Sequence, residues 1–184
     1  MNVVAKMTNI IEKWMGKHPI LIKLYGLYYN DVVEKEIKLG QIQSVDHVLC
    51  IGGGCLPYTA IKIAQETRAT IKVIDIDEEA VQTARRVVAK VGLSDRIKIT
   101  LASGQGVDAA GFSVAHVALQ ATPHDEILEN IFKTASTRIR ILLRSPRKPM
   151  QSLYCTTHEK YLCNCCKQIG QNTPTMQATW LLTQ

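Results

Sequence analysis

A short apolar run, His47-Val-Leu-Cys-Ile51, runs directly into three consecutive glycines, Gly52-Gly53-Gly54. No other feature of the chain restricts its fold so tightly. Glycines serve where a strand turns sharply into a helix, and where backbone must approach a ligand with no Cβ in the way. A helical stretch follows at 58–66, and the first N–H groups of such a helix have no partner within it. A second strand, 70–75, then ends on Asp75, about twenty residues beyond the glycines. A carboxylate at that strand end is placed to accept hydrogen bonds from ribose hydroxyls.

The same alternation continues along the chain. Asp77 is a fitting N-cap for a helix over 78–91, whose inner face is Ala80, Val81, Ala84, Val87, Val88 and Val91, and Gly92 ends it. Strands are expected at 96–102, 113–119 and 138–144, with a helix at 124–135 between the last two. Strands and helices in alternation, joined by short connections, make parallel βαβ units. Right-handed crossovers then place helices on both faces of one sheet. The expected fold is therefore α/β: a Rossmann-like, doubly wound, mostly parallel sheet. At 184 residues, the chain is long enough for one well-buried domain.

Two regions depart from this rhythm. At the start, Val3, Val4, Met7, Ile10, Ile11 and Trp14 recur at helical spacing, with Gly16 and His18-Pro19 as a stop. A second helix runs from about Asp31 to Leu39, and Gly40 closes it. Residues 1–45 thus read as a helical extension and 46–184 as the α/β domain. In the tail, Met176, Ala178, Trp180 and Leu182 alternate with other residues as one face of a terminal strand.

The net charge of +6 is matched by one stretch. Residues 133–150 hold Lys133, Arg138, Arg140, Arg144, Arg147 and Lys148 and no acid. This could serve an anionic partner such as RNA, but no aromatic residues interleave with it to stack bases, so a solvated strand and loop is preferred. Lys13, Lys17 and Lys23 interrupt the apolar runs of the N-terminus before membrane-spanning length. With no signal peptide recognised, a cytoplasmic protein with reduced thiols is expected. Cys155, Cys163, Cys165 and Cys166 lie near His158, but their C-x7-C-x-C-C spacing contains no CxxC knuckle. Reduced thiols are preferred to a metal site.

The glycine loop itself narrows the ligand. A dinucleotide fingerprint calls for a third spaced glycine near Pro57, and a P-loop for Gly-Lys-Ser/Thr; neither is present. A nucleoside without a pyrophosphate suits the loop better. The sequence here resembles the class I S-adenosylmethionine-dependent methyltransferases over roughly 46–144. Val48-Leu-Cys-Ile-Gly-Gly-Gly54 matches their first motif and Val73-Ile-Asp-Ile-Asp77 their second. Cys50 stands where an acidic residue is common. Gly52-Gly-Gly-Cys-Leu-Pro-Tyr-Thr59 also resembles the Gly-x-Gly-x-Leu-Pro-x-Thr loop of nicotianamine synthases, and Tyr28-Tyr-Asn-Asp-Val-Val33 resembles their tyrosine-containing segment. That family transfers the aminobutyrate arm of the same cofactor rather than its methyl group.

The resemblance implies that S-adenosylmethionine is held by Gly52, Gly53, Gly54, Leu56 and Pro57 of the loop, by Asp75 at the ribose, and by Ile76. Ser103, Gly104 and Gln105, after the third strand, either meet the adenine or form a turn. Tyr28 and Tyr29 are the candidate catalytic residues, as a lid over the methionine end or else as interface packing. His124 and Glu126 are further acceptor-side candidates. After the fourth strand Gln120-Ala-Thr-Pro123 stands in place of Asn/Asp-Pro-Pro-Tyr/Phe, which argues against amino-methylation of nucleic acid bases. The sequence-level expectation is methyl transfer to a small-molecule acceptor. Aminobutyrate transfer and a non-catalytic binding module are the alternatives, and oligomeric state is left open.

Overall fold

A computed structural model describes residues 19–136, 138–151, 154, 161 and 166–183. The proposed helix at 3–15, and Cys155, Cys163, Cys165 and His158, lie outside the described residues. In chain order the elements are α1 (Pro19–Gly40), β1 (His47–Ile51), α2 (Tyr58–Thr67), β2 (Thr70–Asp75), α3 (Glu78–Lys90), β3 (Ile97–Leu101), β4 (Val114–Val117), α4 (His124–Thr134), β5 (Arg140–Pro146), a 3-10 turn (Lys148–Met150), β6 (Lys167–Gly170) and β7 (Met176–Thr183).

The seven strands form one sheet in the order β3-β2-β1-β4-β5-β7-β6. The first five strands are parallel, and β7 runs antiparallel to both β5 and β6. Both faces are covered, which is why β1 and β4 are apolar almost throughout. Alternate residues feed two cores. Val48 and Cys50 pack with Ile61, Ala64, Val81 and Val88 of α2 and α3, together with Val33 of α1. Leu49 and Ile51 pack with Ile127, Leu128 and Ile131 of α4. This is the doubly wound α/β arrangement read from the sequence. Among the described residues, no helix is long and apolar enough to cross a membrane.

Local chemistry explains the boundaries. Asp77 caps α3, accepting from Glu79 N at 2.9 Å and Ala80 N at 3.3 Å. Helix α1 begins twelve residues before the expected start at Asp31. Pro19 is its first residue, a position where the missing N–H costs nothing. Gly26 lies within it where the helix meets α2: a Cβ there would come within 2.8 Å of Tyr58 Oη. Strand β6 was not foreseen; it is a mostly exposed edge strand, without the apolar alternation that marks a strand in sequence.

Candidate functional site

The strand order reverses direction between β1 and β4, and in open α/β sheets ligands bind in the crevice at the carboxyl ends of the strands there. A crevice of about 470 Å³, counted to its open mouth, lies at this point. The end of β1, the glycine loop, the start of α2, the end of β4 and Tyr29 of α1 all line it.

The glycine loop is shaped by its neighbours. Gly52 N and Gly53 N both donate to Ile74 O, at 2.9 and 3.2 Å, which binds the loop to β2. Gly52 has φ +81°, and a Cβ on Gly53 would lie 2.1 Å from Val73 Cγ1. A side chain at 53 therefore has no room. Gly54 N donates to Asp75 Oδ2 at 2.7 Å, and Asp77 N donates to Asp75 Oδ1 at 3.0 Å. Loop and strand-end acid are thus one hydrogen-bonded unit, and each carboxylate oxygen retains a lone pair for a ligand. Ile76, next in the chain, is 73% exposed.

Of the residues singled out in sequence, Tyr29, Gly52, Gly53, Leu56 and Pro57 line the crevice together. Gly54 and Asp75 adjoin it through the loop. Tyr28 sits one residue earlier on α1, and its side chain is outside what the structure describes. Ser103 and Gln105 form an exposed cluster in which Gln105 N donates to Ser103 Oγ at 3.2 Å and Gln105 Nε2 donates to Glu126. Gly104 is a packing residue, since a Cβ there would lie 2.7 Å from Ile51 Cγ2. His124 is buried, with Nε2 3.2 Å from Ala118 O. Burial pulls its pKa down, so it is a neutral ring bracing the end of β4.

Sequence reasoning missed the polar floor of the crevice. Arg144 of β5 and His116 of β4 line it. Arg144 donates from Nε and Nη2 to the two oxygens of Glu36, at 2.8 Å each, and from Nη2 to Thr59 Oγ1 at 3.1 Å. Its guanidinium lies over the Tyr29 ring, 5.7 Å from the centroid. Glu36 also contacts His116 Nε2 at 3.2 Å and accepts from Thr179 Oγ1 at 2.8 Å. Burial would raise the Glu36 carboxyl, but Arg144 above all, then His116, outweigh it and hold it well below the usual carboxylate range. Burial, reinforced by Arg144, lowers His116 against the pull of Glu36 and leaves the ring neutral. A carboxylate only accepts, so His116 Nε2 carries the hydrogen and donates. The Cys50 thiol is pushed up to about 12 by burial and stays protonated. A signal for these residues did exist: each is polar at a position whose neighbours in the pattern are apolar, such as Glu36 beside Val32 and Val33 on the buried stripe of α1.

No protein-family profile matches the chain. In structure, it superposes on MtNAS in complex with S-adenosylmethionine with a TM-score of 0.75 at 19% identity, covering 96% of this chain and 71% of that one. An RNA methyltransferase from Salinibacter ruber in complex with S-adenosyl-L-homocysteine superposes with a TM-score of 0.64 at 15% identity, covering 84% and 92%. The fold is that of the class I S-adenosylmethionine-dependent methyltransferases. Nicotianamine synthases are among the structural neighbours of this methyltransferase-like chain. In sequence it is 36% identical over 74 residues to an L-histidine 2-aminobutanoyltransferase of Yersinia pestis, covering 40% of this chain and 28% of the relative. It is 30% identical over 128 residues to one of Pseudomonas aeruginosa, covering 65% and 47%. The chain thus spans less than half the length of these curated relatives.

Proposed function

We propose that this chain binds S-adenosylmethionine in the switch-point crevice and transfers its aminobutyrate arm to the amine of a small amino-acid acceptor, with histidine the first candidate. The observation that supports the reading is that Tyr29 of α1 and residues of the Gly52–Pro57 loop line one crevice. These are the two segments in which the sequence resembles nicotianamine synthases. The names of the curated relatives favour this transfer over the methyl transfer expected from sequence.

The residues fit the ligand. Asp75, oriented by Gly54 N and Asp77 N, would accept from the ribose hydroxyls. Exposed Ile76 offers an apolar surface for the adenine. Gly52 and Gly53 let the backbone approach without side chains. The ligand supplies an activated sulfonium centre; the acceptor nitrogen bonds to the arm's carbon as the carbon–sulfur bond breaks, leaving methylthioadenosine and a proton to solvent. The Tyr29 ring would favour a nearby cation by about 0.5–2 kcal/mol. Residues 46–184 form the binding domain in this reading, and the 1–45 extension provides α1 as one wall. Tyr28 shares that helix and stays a candidate for the same role.

The test is the product. The full chain incubated with S-adenosylmethionine and histidine is expected to accumulate methylthioadenosine, followed by mass spectrometry. S-adenosylhomocysteine instead would mean methyl transfer, and neither product would mean a binding module.

A further inference from the structure

We infer that Glu36 makes the crevice selective for a cationic ligand: its buried carboxylate cancels the charge of Arg144, so that a sulfonium is accepted where a lone guanidinium would repel it. The inference rests on the S-adenosylmethionine reading above and adds a charge-selecting role to that site. Glu36 does not line the crevice. It acts through Arg144 and is a positioning residue.

The geometry carries the argument. Arg144 is 6% exposed and forms part of the crevice floor, against the Tyr29 ring and the Thr59 hydroxyl, which line the same crevice. A cation bound near Tyr29 therefore sits close to a second positive charge in a poorly solvated place. Like charges a few ångströms apart in such a setting repel strongly. Glu36 is fully buried behind Arg144, and both its oxygens take the guanidinium fork. Thr179 and His116 satisfy the remaining capacity of the carboxylate. With His116 neutral, the charges of Arg144 and Glu36 sum to zero. The other lining residues described are uncharged at neutral pH. Buried ion pairs rarely stabilise a fold more than apolar residues of similar volume would. What distinguishes this pair is its position beneath a ligand crevice.

A structural role and a charge-selecting role separate in one measurement. S-adenosylmethionine carries the sulfonium, whereas S-adenosylhomocysteine has the same nucleoside and amino-acid arm on a neutral thioether. Calorimetric titration of the full chain with each ligand gives a ratio of affinities. Glu36→Gln keeps the side chain's size but removes the carboxylate charge that the Arg144 guanidinium is paired with. It is expected to lose about tenfold more affinity for the sulfonium than for the thioether. Arg144→Gln leaves the negative charge and is expected to move the ratio the other way. The double variant, with neither charge, is expected to restore the wild-type ratio. If Glu36→Gln does not fold, Arg144→Gln and the double variant carry the test. Equal losses for both ligands in Glu36→Gln, or an Arg144→Gln ratio that is unchanged or moved toward the thioether, would overturn the inference. A wild-type chain that binds neither ligand would overturn the underlying reading, and this inference with it.

Discussion

At the scale of single residues, Asp75 links the two motifs first recognised in the sequence. Its carboxylate accepts from the glycine loop on one side and from the helix-capping turn on the other. Replacing it with alanine removes the acceptor of the Gly54 N–H and, in the proposed reading, the charge-assisted bonds to the ribose. Asp75→Ala is expected to weaken S-adenosylmethionine binding by about 1.5–3 kcal/mol, read by calorimetry; unchanged affinity would exclude a ribose contact. Asp75 and the glycines were legible because their chemistry is local: a tight turn and a strand-end acid leave a signature within a short stretch of chain. Glu36, His116 and Arg144 were not, because they are partners only once α1, β4 and β5 are assembled. Their only trace in sequence is polarity in an apolar pattern. Gly104 was legible as a special position, but the crowding that a Cβ there would meet from Ile51 and Ile127 was not.

At the scale of elements, helix α1 is fastened to the sheet by the network around Glu36, which ties it to β4, β5 and β7. A second clasp holds its C-terminal end, where Arg140 Nη1 donates to Gly40 O at 2.7 Å and to Gln41 O at 2.9 Å, and Asp46 pairs with Arg140 and accepts from Ser113 Oγ at 2.6 Å. The network has a definite pH dependence. The Glu36 carboxyl is depressed in the folded state, so its contribution is present above its ordinary value of 4.5 and is lost as pH falls below that. His116 and His124 are also lowered by burial, so the unfolded chain takes up their protons first as pH drops through 6.5. Both effects have the same sign. Urea midpoints are expected to be level near pH 8, to fall below about pH 6.5, and to fall further below about pH 4.5; a midpoint that holds steady down to pH 4 would contradict this. The βαβ core was readable because its helices and strands repeat buried positions at periods of 3.6 and 2. Edge strand β6 was not, since only its pairing with β7 defines it.

For the whole molecule, topology sets the site. The switch point between neighbouring strands β1 and β4 opens the crevice, and the antiparallel β7 returns beside β5 so that Thr179 stands opposite Arg144. Assembly also turns the basic stretch partly inward: Arg144 pairs with Glu36, Arg140 with Asp46, and Arg147 Nε donates to Thr173 O at 2.6 Å. Half of the six basic residues counted there are thus engaged within the fold, which a tally of charge along the chain does not reveal. The account rests on one claim, that the switch-point crevice holds a sulfonium nucleoside between the glycine loop and α1. A crystal structure of the chain soaked with S-adenosylmethionine measures this directly. The account predicts the ribose hydroxyls on Asp75, the backbone of Gly52 and Gly53 against the ligand, and the sulfur facing the Tyr29 ring. A ligand seated elsewhere, or one in the crevice with its ribose away from Asp75 and its sulfur away from α1, would contradict it.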